Sequence, residues 1–325
     1  MSPVKLTLGY SNMDATIALR DGRVKPEGIE LNYVSSAAGD IFRRMRETEE
    51  FDVSEMSISN YVSDRSKNDT RFIAIPVFTR MFRHSYLYIN KHAGINNPQD
   101  LKGKKVGITK YASSGALWLR GILQDDYGVT PEDIRWFIGG KEGPKKQGAF
   151  IAPESLSYQV VPTDKPLHGM LEEGELDGLM ITVDPPWSFK NHANVGRLWP
   201  DFRKLEIEYY RKTGLFPVMH TLVFRQEVYE ANPQMAVSLF KAFSEAKKLC
   251  GHLDYGSGGA NMLPWSLAAY EDTVSLMGED FYPYGVEPNR KNMETIIRFS
   301  KEQGLSQRNL TVDELFATET LDLTE

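Results

Sequence analysis

The sequence predicts an α/β protein of two lobes, each a mostly parallel sheet flanked by helices, with a ligand cleft between the lobes. Three observations predict it. Strand-like and helix-like stretches alternate from residue 4 to residue 183, as crossover-connected parallel strands require. A second α/β set opens near residue 84. Late in the chain "FPVMHTLVFR" adds one more strand before a long helix, so the chain crosses out of the first lobe and returns. Residues 1–82 plus 215–325 then form one lobe and 83–214 the other, with the cleft at the two crossovers.

In chain order, "VKLTLGYS" reads as the first strand and "IELNYVSS" as the second, the latter rich in β-branched and aromatic residues. Between them "DATIALRDGRVKPEG" has helix length and closes on Gly and Pro. "GDIFRRMRETEEF" repeats apolar residues at Ile41, Phe42 and Met45, an amphipathic helix. "DVSEMSIS" is a short strand with its exit loop, and "RFIAIPVF" another strand. In the second set, "SYLYIN" is a strand and "NPQDLKGKKVGIT" a helical turn, a glycine turn and a strand. "SSGALWLRGILQDDYG" is a helix ending at Gly128, and Thr130 with Pro131 marks a helix start. "LHGMLEEGELDGLMITV" is a helix followed by a buried strand. In "NPQMAVSLFKAFSEAKKLC", Val237, Phe240, Phe243 and Ala246 recur at helical spacing, and Thr311 with Glu314 makes a capping box in the tail.

Composition narrows the function. The 325 residues are 41% hydrophobic and 25% charged, ordinary for a globular chain. A net charge of −6 argues against nucleic acid or an anionic membrane as partner. One cysteine, Cys250, excludes an intrachain disulfide and a cysteine-based zinc site, and it reads as core. No apolar run approaches the roughly 20 residues of a membrane span. "MSPVKLTLGYSNMD" enters a strand pattern without the apolar stretch of a secretory signal, so the expectation is a cytoplasmic protein. Gly-x-Ser-x-Gly, Walker, Gly-x-Gly-x-x-Gly and His-x-x-x-His patterns are all missing.

"FDVSEMSIS", "NPQDLKGKKVGI", "ALWLRGILQDDYGV" with "DIRWFIGG", "GELDGLM" and "LFPVMHTLVFR" occur in this order. Together they resemble the 4,5-dihydroxyphthalate decarboxylases, a family on the type II periplasmic-binding-protein fold. "DLKGKKVG" and "GELDG" are shared widely on that fold, whereas "WLRGIL…YGV" and "FPVMHTLV" are more specific. The resemblance implies a cofactor-independent carboxy-lyase taking a small aromatic carboxylate, with 4,5-dihydroxyphthalate yielding protocatechuate and CO2. The competing reading is a non-catalytic solute-binding protein that captures a small carboxylate for an ABC-type transporter. Nothing in the sequence fixes an oligomeric state; a homo-oligomer is compatible with it.

Such a reaction needs cations or helix N-termini for the carboxylates, a base for the phenol and a proton donor facing the ring. His220, in "TGLFPVMHTLVF", is either a satisfied core histidine or a cleft-facing acid. The expectation here is the acid. Asp184, between a buried strand and two prolines, could orient a histidine, accept a phenol proton or simply cap the turn. "TRMFRHS" offers Arg80, Arg83 and His84 at a strand end, as carboxylate grips and a third catalytic group, or as solvated surface. Tyr111, Ser113 and Ser114 precede a helix whose N-terminus suits an anion, although a serine there is also an ordinary cap. Ser57 and Ser59 in one strand-exit loop, and Ser11 and Asn12 in another, complete the candidates. The expected site needs no metal.

Overall fold

A computed structural model describes residues 2–140, 152–182, 185–250 and 262–325. The chain divides into two compact units. The first comprises Met1–Arg80, His220–Glu294 and Leu310–Glu325; the second comprises Met81–Met219 and Thr295–Asn309. Each unit carries one mixed sheet.

The chain opens with β1 (Val4–Tyr10), α1 (Ile17–Arg20), β2 (Ile29–Ser35), α2 (Ala38–Thr48), β3 (Val53–Ser57), α3 (Ile58–Ser66) and β4 (Phe72–Arg80). The second set runs β5 (Leu87–Asn90), β6 (Lys105–Ile108), α4 (Ser114–Tyr127), β7 (Arg135–Gly139) and β8 (Tyr158–Val161). It continues with α5 (Leu167–Glu172), β9 (Gly178–Met180), β10 (Val195–Arg197) and α6 (Phe202–Thr213). After β11 (Val218–Arg225) come α7 (Gln226–Ala231), α8 (Gln234–Cys250), α9 (Ser266–Met277) and α10 (Arg290–Glu302).

In the first sheet the strand order is β2-β1-β3-β11-β4. β1 runs parallel to β2 and β3, whereas β11 runs antiparallel to β3, with His220 opposite Ser57. All five residues of β3 are buried, as expected of a central strand covered on both faces, and this burial leaves Glu55 inside the protein. The helical stripe of α8 lays Leu239, Phe240, Phe243 and Ala246 against Tyr10, Leu222 and Phe224. Because β1 and β3 are parallel and β11 is antiparallel, the ends of β1 and β3 and the start of β11 share one sheet edge. That edge is where α/β sheets present ligand-binding side chains.

The second sheet has the order β10-β5-β9-β6-β7-β8, with β6 parallel to β7 and β9. α4 is buried almost all round, through Ala116, Leu117, Trp118, Leu119, Ile122 and Leu123. A helix buried to this extent has to be covered on more than one side. The later half of α10 supplies part of the cover. Phe299 meets Trp118 edge-on at 5.6 Å and lies on Gly121, where a Cβ would collide with its ring. Gln303 accepts from Arg120 Nε at 2.8 Å and donates to the Leu117 carbonyl at 3.0 Å. These contacts put residues 295–309 in the second unit, whereas the sequence reading assigned all of 215–325 to the first.

Candidate active site

At the edge of the first sheet, Glu55 and His220 face each other. Glu55 Oε1 lies 2.5 Å from His220 Nδ1. Glu55 is 0% exposed and His220 20%, so the carboxylate is sealed while the imidazole keeps access to solvent. Antiparallel register produces the pairing: His220 sits opposite Ser57, and Glu55 lies two residues along on the same face of β3.

Two more groups fix the carboxylate. The Ser11 N–H donates to Glu55 Oε2 at 3.0 Å, and the Thr79 hydroxyl reaches Oε1 at 3.4 Å. Burial pushes the Glu55 pKa up, but the His220 charge and the hydrogen bonds from His220 and Ser11 outweigh it. The carboxyl is therefore held below its ordinary value and stays ionised. Phe42 meets the imidazole edge-on at 4.8 Å and fixes its plane. With Nδ1 committed to Glu55, Nε2 is the nitrogen left for proton exchange with a bound molecule.

In the second unit, Arg83 is 5% exposed. Its Nε points to Met219 Sδ at 3.0 Å and its guanidinium lies 4.8 Å from the Tyr86 ring centroid. Burial pulls its pKa down to about 10, so it remains a cation at neutral pH. The guanidinium rests on the first turn of α4: a Cβ added to Gly115 would sit 2.9 Å from Arg83 Cζ. Ser113 is the N-cap of α4 by backbone geometry but makes no side-chain cap bond, and its buried Oγ has no hydrogen-bond partner among the described residues. Ser114 is buried at the first helical position. Arg83, Ser113 and Ser114, separate candidates in the sequence, are thus gathered at one helix entrance.

Other candidates are committed elsewhere. Arg80, three residues from Arg83, donates to the Pro283 carbonyl at 3.0 Å and to Asn289 Oδ1, while Tyr282 Oη accepts from its backbone N–H. It pins the segment after α9 rather than waiting for a carboxylate. Tyr111 is a core residue, its ring 3.7 Å under the buried Arg120 guanidinium and its hydroxyl turned to the Gln303 carbonyl. Asn12 is drawn into a surface cluster in which Arg20 and Ser35 both donate to its Oδ1. Ser57 shares the sheet edge with His220, whereas Ser59 is fully buried at the second position of α3. Asp184 lies outside the described residues.

His84 is a core histidine, not a catalytic one. It is 1% exposed, with Trp199 and Tyr209 edge-on at 5.4 and 5.2 Å. Its Nδ1 lies 3.8 Å from Glu206 Oε1, too far for a hydrogen bond. Burial lowers the His84 pKa to about 4 and raises that of Glu206 to about 7. An ion pair would move both the other way, so desolvation wins and the two face each other uncharged.

The sequence reading missed Glu55. Its signal was a lone carboxylate in "VSEMS", a strand whose other residues are apolar or small. Among the described residues, no three His, Cys, Asp or Glu side chains form a group that could hold a metal ion.

Comparisons with known proteins bear on the fold and on the family. A family model described as the ABC transporter phosphonate periplasmic substrate-binding protein matches residues 27–162. The aliphatic sulphonate binding protein SsuA of Escherichia coli superposes with a TM-score of 0.56 at 17% identity, covering 99% of this chain and 100% of that one, a likeness of fold alone. A 4,5-dihydroxyphthalate decarboxylase of Comamonas testosteroni is 33% identical over 99% of both chains. A protein of the same name from Pseudomonas putida is 30% identical over 65% of this chain and 83% of its own.

Proposed function

The chain belongs to the 4,5-dihydroxyphthalate decarboxylase family, and from that premise we propose that it is a carboxy-lyase converting 4,5-dihydroxyphthalate to protocatechuate and CO2. The observation that carries the reading is the 2.5 Å contact between Glu55 and His220 at the sheet edge. A ring decarboxylase needs a proton donor that is charged before the reaction and reloads afterwards. An imidazole held by a buried, ionised carboxylate meets that need.

In this reading the hydroxyl para to the departing carboxylate pushes electron density onto the ipso carbon. His220 Nε2–H delivers its proton there, forming the new C–H bond. The C–C bond then breaks, CO2 leaves, and its bonding pair restores the aromatic ring. His220 ends neutral and recovers a proton from solvent. Glu55 does not touch the ring: it selects the Nδ1–H tautomer and stabilises the imidazolium. Ser11 and Thr79 hold Glu55 in turn. Within the second unit, taken by itself, Arg83 with the α4 entrance is a cationic element suited to a carboxylate.

The test is direct. Incubated with 4,5-dihydroxyphthalate, the protein should release protocatechuate and CO2 in equal amounts, and His220→Asn should bind the acid without turning it over. Tight binding by the unaltered protein with no product would instead support a solute-binding role.

A further inference from the structure

Arg83 is a buried cation for which the described residues provide no counter-charge. Among the described residues no carboxylate lies within ion-pair distance, and its hydrogen bonding there is limited to Nε against the Met219 sulfur, a weak acceptor. Nη1 and Nη2 have no hydrogen-bond partner among the described residues. A guanidinium taken out of water is costly unless something compensates it, and buried charges are ordinarily paired. The local surroundings sharpen the point. The guanidinium sits on the first turn of α4, a 14-residue helix whose positive dipole end repels a cation. Two positive elements are held together, with the unpartnered Ser113 hydroxyl beside them.

Gly115 makes the arrangement sterically possible. Its missing Cβ would stand 2.9 Å from Arg83 Cζ, 3.0 Å from Nε and 3.2 Å from Nη1. Any other residue there would push the guanidinium off the helix entrance.

We propose that Arg83, Ser113 and the N-terminal turn of α4 form an oxyanion subsite completed by a carboxylate of the aromatic substrate. The Nη1 and Nη2 edge of the guanidinium matches the two oxygens of a carboxylate. The N–H groups of the first helical turn and the Ser113 hydroxyl donate to the remaining lone pairs. The subsite reads charge and oxygen geometry, so an aromatic sulfonate should also fill it. This assignment rests on the aromatic-acid reading above but not on the Glu55–His220 chemistry.

Calorimetric titration with phthalate, which lacks the activating hydroxyls, tests it. Arg83→Met should weaken phthalate binding at least ten-fold. Ser113→Ala should weaken it a few-fold, and Gly115→Ala should mimic Arg83→Met by displacing the guanidinium. 2-Sulfobenzoate should compete with phthalate, and the neutral phthalamide should bind unaltered protein and Arg83→Met alike. Circular dichroism and thermal melting establish that each variant is folded. If Arg83→Met is not folded, Gly115→Ala decides. Phthalate affinity unchanged in a folded Arg83→Met or Gly115→Ala, or no phthalate binding by the unaltered protein, overturns the subsite. Arg83-dependent phthalate binding by a protein that never decarboxylates 4,5-dihydroxyphthalate keeps the subsite and refutes the enzyme reading.

Discussion

Glu55 and His220 lie 165 residues apart in sequence, yet their side chains meet at 2.5 Å across two paired strands. The carboxylate is sealed and the imidazole is reachable. That asymmetry assigns them different jobs: Glu55 positions and charges, and His220 exchanges the proton.

Glu55→Gln should therefore leave substrate affinity nearly intact and cut kcat by about 10- to 100-fold, the scale of losing a group that poises a general acid. A purely structural role for Glu55 would instead lower substrate affinity together with kcat.

Glu55 also contributes to acid stability. Its carboxyl titrates below the ordinary value in the folded protein, so the unfolded chain binds the proton more readily as pH falls. The stabilisation is complete above about pH 4.5, the unfolded value, and disappears as pH drops through the folded one. Urea midpoints between pH 3 and pH 6 should fall more steeply toward acid in the unaltered protein than in Glu55→Gln.

His84 and Glu206 should nearly cancel in a pH titration of stability. Between about pH 4.5 and 6.5 the unfolded chain carries its proton on the histidine, and the folded protein carries it on the glutamate. The number of protons is the same, so the stability curve is flat. Glu206→Gln removes one side of the balance. Its stability should climb with rising pH from about 4 to 6.5, by roughly 3 kcal/mol, as the buried histidine no longer has to be discharged. In His84→Phe the opposite slope should appear between about pH 4.5 and 7, because Glu206 is then left to ionise in a buried place. Denaturation at a series of pH values distinguishes the three curves.

Arg80→Met should cost stability. The substitution leaves Asn289 Oδ1 without its donor and the Pro283 carbonyl with the Asn289 amide alone, a loss of about 2–4 kcal/mol for bonds to a charged group in the interior. Its melting temperature should drop well below that of Arg83→Met, whose guanidinium has few partners to lose. Equal destabilisation by the two variants would contradict this contrast.

Gly121→Ala should destabilise by about 1–3 kcal/mol or more, since the methyl meets the Phe299 ring at the α4–α10 contact. Phe299→Leu in the same background should recover part of the loss by making room.

The sequence by itself determined the alternation of strands and helices, the placement of His220 on a late strand and the serines before α4. These depend on local patterns, such as apolar spacing, turn residues and helix starts, and the folded chain carries each of them. The division of labour among the polar residues was decided only by the tertiary structure. Arg80 and Arg83 are three residues apart and chemically identical, and their fates separate because one meets the 282–289 segment and the other meets Gly115. Tyr111 and His84 had the types and spacing of site residues, but the packing of Arg120, Trp199 and Tyr209 around them takes both into the core. Glu55 went unrecognised because its partner comes from β11, and only the β3–β11 register brings the two together. A side chain's chemistry is written in its type, whereas its charge state and accessibility depend on neighbours distant in the chain.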